Sequence, residues 1–204
     1  MARLAATALA WLGLAVCALL LAPAALAQAP ASPSVDPLQI ERGDDGIYLS
    51  TSVHFDLPAV VEDALQKGIP MVFLVEADLV RERWYWVDRK VSHASRSVRL
   101  SFAPLTRRWR ITIGPVGGAG SGLGLTLGQN FDSLPEALST LQRISHWKIA
   151  DSTELEPDAN YSLDFRFRLD LGQLPRPFQI GAVGQSDWTI SASRRQRVSG
   201  EPPK

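Results

Sequence analysis

Residues 161–169 read YSLDFRFRL: Tyr161, Leu163, Phe165, Phe167 and Leu169 fall at every second position, with Asp164, Arg166 and Arg168 between them. A period of two is the signature of a strand with one buried face and one solvated face. IYLSTSVHF (47–55) repeats the pattern with Ile47, Leu49, Thr51, Val53 and Phe55 on one side. Further extended runs are expected in IPMVFLVEADLVRERWYWVD (69–88), SVRLSF (97–102), RRWRITIG (107–114), WKIA (147–150), FQIGAV (178–183) and DWTISA (187–192). RGDDG (42–46) reads as a hairpin turn. Helical signals are short: DLPAVVEDALQKG (56–68), with Asp56 as N-cap and Gly68 as the stop, and SLPEALSTLQRI (133–144), each with proline in its first turn. Many alternating strands and two short helices predict a mainly β chain, an antiparallel β-sandwich-like single domain. FDLPAVVEDAL (55–65) and FDSLPEALSTL (131–141) both run Phe-Asp into a Pro-led helix, so the alternative is an α+β fold with a duplicated strand–helix–strand unit.

The N-terminal stretch has Arg3, an apolar run and ALA at 25–27, the parts of a secretory signal peptide cleaved after Ala27. The same apolar stretch is long enough to serve as an uncleaved inner-membrane anchor. Residues 28–37 (QAPASPSVDP) read as a Pro/Ala/Ser linker, 38–192 as the single globular domain and 193–204 (SRRQRVSGEPPK) as a basic flexible tail. Cys17 is the only cysteine and falls within the expected leader, so a mature chain carries no thiol chemistry. The expected compartment is the periplasm.

Four segments, GIPMVFLVEADLVRERWYWVD, RLSFAPLTRRWRITIG, LPEALSTLQRISHWKI and LDLGQLPRPFQI, resemble the uncharacterised proteobacterial family catalogued as domain of unknown function 4390, over roughly residues 38–192. The resemblance implies exported or membrane-anchored bacterial proteins without an established activity. It also implies an accessory role beside a membrane sensor kinase of the nitrogen-regulation type. It assigns no catalytic residue.

Net charge is zero but unevenly placed. Residues 36–78 carry nine acids against Arg42 and Lys67, whereas 81–110 carry nine bases against Glu82 and Asp88. The stretch RERWYWVDR (81–89) mixes both classes of side chain. Continuing the alternation of Met71, Phe73, Val75, Ala77 and Leu79 would send Arg81 and Arg83 inward. A β-bulge near 80–83 would instead turn Trp84 and Trp86 into the core and the arginines outward. With Val98, Leu100 and Phe102 opposing Arg99, and Trp109, Ile111 and Ile113 opposing Arg108 and Arg110, the expected outer face carries Arg81, Arg83, Arg99, Arg108 and Arg110. These five are the candidate partner- or ligand-binding residues, unless Glu76, Asp78 and Glu82 pair with them. The expected partner is an envelope protein or an anionic lipid or glycan near the membrane, and not nucleic acid.

No catalytic constellation is visible, and a non-enzymatic role is expected. GGAGSGLG (117–124) has neither the spacing of a dinucleotide loop nor the Lys-Ser/Thr of a P-loop, so no cofactor is predicted, and Ser121 lacks a nucleophile-elbow frame. His54, His93 and His146 show no metal-ligand spacing, so no metal is predicted. Two alternatives remain: a carbohydrate or small-ligand module using exposed Trp84 and Trp86, and, more weakly, a hydrolase centred on His54 or His146.

Overall fold

The computed structural model describes residues 32–82, 89–116, 127–156, 159–182 and 188–198. The expected leader 1–27, the tryptophans Trp84 and Trp86, Arg83 and the glycine-rich segment 117–124 lie outside the described residues.

The chain is mainly antiparallel β, in two sheets. The smaller sheet is centred on β3 (Gly46–His54), with β1 (Ser34–Val35) and β2 (Gln39–Gly43) along one edge and β8 (Arg143–Asp151) on the other. The larger sheet runs β10 (Ser191–Val198), β9 (Tyr161–Leu169), β4 (Met71–Arg81), β5 (Arg89–Ala103), β6 (Arg108–Gly114) and β7 (Leu127–Phe131). RGDDG forms the β2–β3 hairpin, with Gly43 opposite Gly46.

The predicted periodicity carries the core. On β3, Ile47, Leu49, Thr51 and Val53 are buried, and Phe55 follows them in. On β4 and β9 the inward sets are Met71 to Leu79 and Tyr161 to Leu169. Phe55, Phe73 and Phe167 meet with ring centroids 5.3–5.7 Å apart. Burial of each such ring contributes about 1.5–3 kcal/mol. Inner-face residues of both sheets join one hydrophobic cluster. Across it, Ser92 Oγ on β5 donates to the Ile149 carbonyl of β8 at 3.0 Å.

Two of the three α-helices among the described residues link the sheets. Helix α1 (Ala59–Gln66) leads from β3 to β4 and buries Val61, Ala64 and Leu65. Its N-cap is Pro58, not Asp56, and no side chain caps it. Gly68, at φ +82°, takes the left-handed turn that ends it. Helix α2 (Leu134–Gln142) leads from β7 back to β8. Ser133 caps it, accepting from the Glu136 amide at 3.4 Å, and it buries Ala137 and Leu141. The two Pro-led helices therefore cross between sheets in opposite senses, as connectors and not as a repeated unit within one sheet.

Two expectations are corrected. FQIGAV is not a strand: Arg176–Ala182 is helix α3, with Pro177 in its first turn and the Phe178 amide donating to the Pro175 carbonyl at 2.9 Å. Residues 193–198 are not a tail but most of β10, paired with β9 from Ser191↔Arg168 to Val198↔Tyr161. The inward Arg194 donates to the Val35 carbonyl at 2.9 Å, and Gln196 exchanges two hydrogen bonds with the Leu38 backbone. The N-terminal edge is tied down too: β1 pairs with β3 inside the stretch expected to be linker.

Candidate functional site

The outward face of the larger sheet has two halves of different electrostatic character. Across β10, β9 and β4 outward arginines of one strand lie beside carboxylates of the next. Arg195 reaches Asp164 at 3.3 Å, Arg168 reaches Glu76 at 3.6 Å and Arg197 reaches Glu82 at 3.2 Å. Glu82 also accepts from Ser162. At the centre Asp78, with only 4% of its side chain exposed, meets Lys90 at 2.9 Å, His93 at 2.6 Å and Arg166. Burial pushes the Asp78 carboxyl up, but the hydrogen bonds from Lys90 and His93 outweigh it and hold the group below the ordinary carboxylate value.

The β5–β6–β7 half lacks that matching. Arg99 stands in register between Val72 and Thr112, half-buried. Arg110 stands between Ser101 and Asn130, and its guanidinium lies over Gly128, where a Cβ would meet Nη2 at 3.1 Å. The absence of a side chain at Gly128 is what lets Arg110 lie flat across the edge strand. Neither Arg99 nor Arg110 has a carboxylate partner among the described residues. Arg108 reaches Asp132 at 3.4 Å, both largely exposed. The connecting hairpin 104–107 carries Leu105 fully exposed at its tip.

Of the five predicted arginines, Arg99, Arg108 and Arg110 share this face, and Arg83 lies outside the described residues. Arg81 does not share it. Strand β4 keeps its phase through Arg81, which stands opposite the buried Tyr161, while the irregularity falls on β5, where Val91 is the extra residue between Lys90 and Ser92. An inward arginine is tolerated there because Glu156 pairs with it and the Glu156 amide donates to the Tyr161 hydroxyl at 2.8 Å. Glu76, Asp78 and Glu82 are engaged by Arg168, Arg166 and Arg197 of β9 and β10, and Asp78 also by Lys90 and His93.

Sequence reasoning missed Arg96. Stepping the Val98–Leu100 phase back one position puts it inward, opposite Val75, and that signal was present in the alternation. The histidines do not converge: His54 meets Asp36 at 3.0 Å, His93 meets Asp78, and His146 stacks on Tyr48 at 4.0 Å. Beside that stack Asp45 accepts from Tyr48 and from Lys148, which hold its carboxyl below the usual range. Among the described residues no cluster of three His, Cys, Asp or Glu side chains has the arrangement to hold a metal ion. No helix among them is long and apolar enough to cross a membrane.

No curated protein and no solved structure matches the chain. One family does: the family described as a domain of unknown function (DUF4390) matches residues 31–198, nearly all of the strand framework, and the chain belongs to it.

Proposed function

We propose that this is a non-enzymatic, exported envelope protein that docks an acidic protein surface on the β5–β6 face, with Arg99 and Arg110 as anchors and Arg108 at the rim. One observation carries the reading. On a single sheet, the arginines of β9 and β10 that face outward are matched to carboxylates, while Arg99 and Arg110 have no carboxylate partner among the described residues. Cations with no internal partner are free to pair across an interface, where a planar guanidinium suits bidentate carboxylate contacts. Ser97, Ser101, Thr112 and Asn130 surround them with hydrogen-bonding groups, and Leu105 offers an apolar contact at one end. That composition suits a protein partner better than a lipid surface, which would reward several apolar side chains. The periplasm, and service to a membrane sensor kinase, fit this reading and the leader expected at 1–27.

The test is site-specific photo-crosslinking in cells, with the crosslinker at Ser101 in one strain and at Ser193 on the matched half in another. A discrete protein adduct from Ser101, absent from Ser193 and lost in Arg99→Glu/Arg110→Glu, supports the proposal. Adducts that persist in the double variant, or that form equally from both positions, overturn it. Crosslinking to lipid alone also overturns it, in favour of membrane docking.

A further inference from the structure

A second basic feature lies on the other side of the same sheet. Between the inner face of β5–β6–β7, helix α2 and the start of β8 is a cleft of about 360 Å³, lined by Arg96, Gln129, Thr140, Arg143 and Ser145 among others. It is an open pocket at the small end of the range that takes small molecules. Among the described residues its lining holds two cations and no carboxylate.

Arg96 is the unusual member. Its Nε is shut off from solvent and has no hydrogen-bond partner, and its guanidinium is 4.7 Å above the Trp147 ring. No carboxylate answers it among the described residues, in contrast to the inward Arg81, which has Glu156. Burial alone draws its pKa down to about 10, so it stays charged at neutral pH. A charged, largely enclosed group whose buried Nε has no partner, beside an open cleft, is a donor set lacking its acceptor.

The remaining polar groups narrow the chemistry. The Ser139 and Thr140 hydroxyls already donate to the Glu136 carbonyl, at 2.8 and 3.3 Å. Their oxygens are therefore left as acceptors, while Arg96, Arg143, the Gln129 amide and the Ser145 hydroxyl are donors. Donors at one place and acceptors beside them suit an oxyanion joined to a hydroxylated body.

We propose that this cleft binds a phosphate monoester or diester carrying free hydroxyls, with Arg96 and Arg143 on the phosphate and Ser139 and Thr140 on the hydroxyls. The site is separate from the outward Arg99–Arg110 face, so either proposal can fail without the other. A soluble phosphate ester and a glycerophospholipid headgroup present the same chemistry.

The test titrates the full chain at fixed ionic strength with glycerol 3-phosphate, with glycerol, and with phosphatidylglycerol vesicles, following binding by calorimetry and the Trp147 indole by NMR. Saturable binding of glycerol 3-phosphate but not glycerol, weakened at least tenfold in Arg96→Met and in the exposed-site variant Arg143→Gln, supports a soluble ligand. Binding of vesicles alone, weakened equally by both variants, supports a lipid headgroup. No binding of either probe, or binding unchanged in both variants, overturns the proposal.

Discussion

Replacing Arg96 by methionine should make the protein more stable. The wild-type Arg96 has its Nε unsatisfied, and burial lowers its pKa by two to three units, to about 10. At 1.36 kcal/mol per unit, keeping the group charged costs the folded state roughly 3 kcal/mol at neutral pH. The contact with Trp147 at 4.7 Å returns about 1 kcal/mol. Methionine retains the packing of the unbranched stem and carries no charge to desolvate. The net expectation is a gain of about 1–2 kcal/mol, which for a domain of this size raises Tm by roughly 4 °C. Urea denaturation at pH 7, followed by tryptophan fluorescence for both proteins, reads the difference. Equal or lower stability of Arg96→Met would mean that the guanidinium is satisfied in the fold, and the premise of an unfilled donor set would go with it. A gain in stability with a loss of phosphate-ester binding is the trade-off expected of a functional group kept at a cost to the fold.

Other expectations follow from the same packing. Asp78→Asn removes the buried anion from Lys90, His93 and Arg166 and should cost about 2–4 kcal/mol, towards the low end because Lys90 and Arg166 are half-exposed. The Asp78 pKa is lowered in the fold, so the unfolded chain takes up the proton first. The advantage of wild type over Asp78→Asn should be full above the ordinary value of 3.8 and disappear as pH falls below it, as read by acid-unfolding curves of the pair. Arg107 sits at φ 53° in the β5–β6 hairpin, where glycine is unstrained, so Arg107→Gly should raise stability by about 0.5–1 kcal/mol in thermal denaturation. Arg99→Glu/Arg110→Glu should change stability by less than about 0.5 kcal/mol, because neither side chain has an ion pair to lose among the described residues.

The legibility of the fold tracked how far each strand's neighbours are written into its own residues. Strands β3, β6 and β9 bury mainly one face, and their alternation announced it, whereas β4 is buried on both sides. Strand β7, LGQNF, shows no such alternation because it lies at an edge with both sides largely exposed. Strand β10 reads as a basic tail because its inward positions include Arg194 and Gln196, whose partners are carbonyls more than 150 residues away in the chain. FQIGAV has the apolar content of a strand, and the deciding signal was Pro175 and Pro177, which suit a first helical turn. On the outer face, alternation identified Arg99, Arg108 and Arg110 but could not say which carboxylates were spoken for. That depends on β9 lying beside β4, a pairing between residues more than 80 positions apart. Arg81 was misplaced because the extra residue fell on the partner strand.

The central claim is that the β5–β6 face is unmatched and the β9–β10 face is matched. NMR of the arginine Nε–Hε signals during titration with a hexaglutamate peptide at low ionic strength tests it most directly. Saturating shifts are expected at Arg99 and Arg110, absent at Arg166 and Arg195 and abolished by salt. Shifts centred on Arg166 and Arg195, or equal shifts across all four, would contradict it.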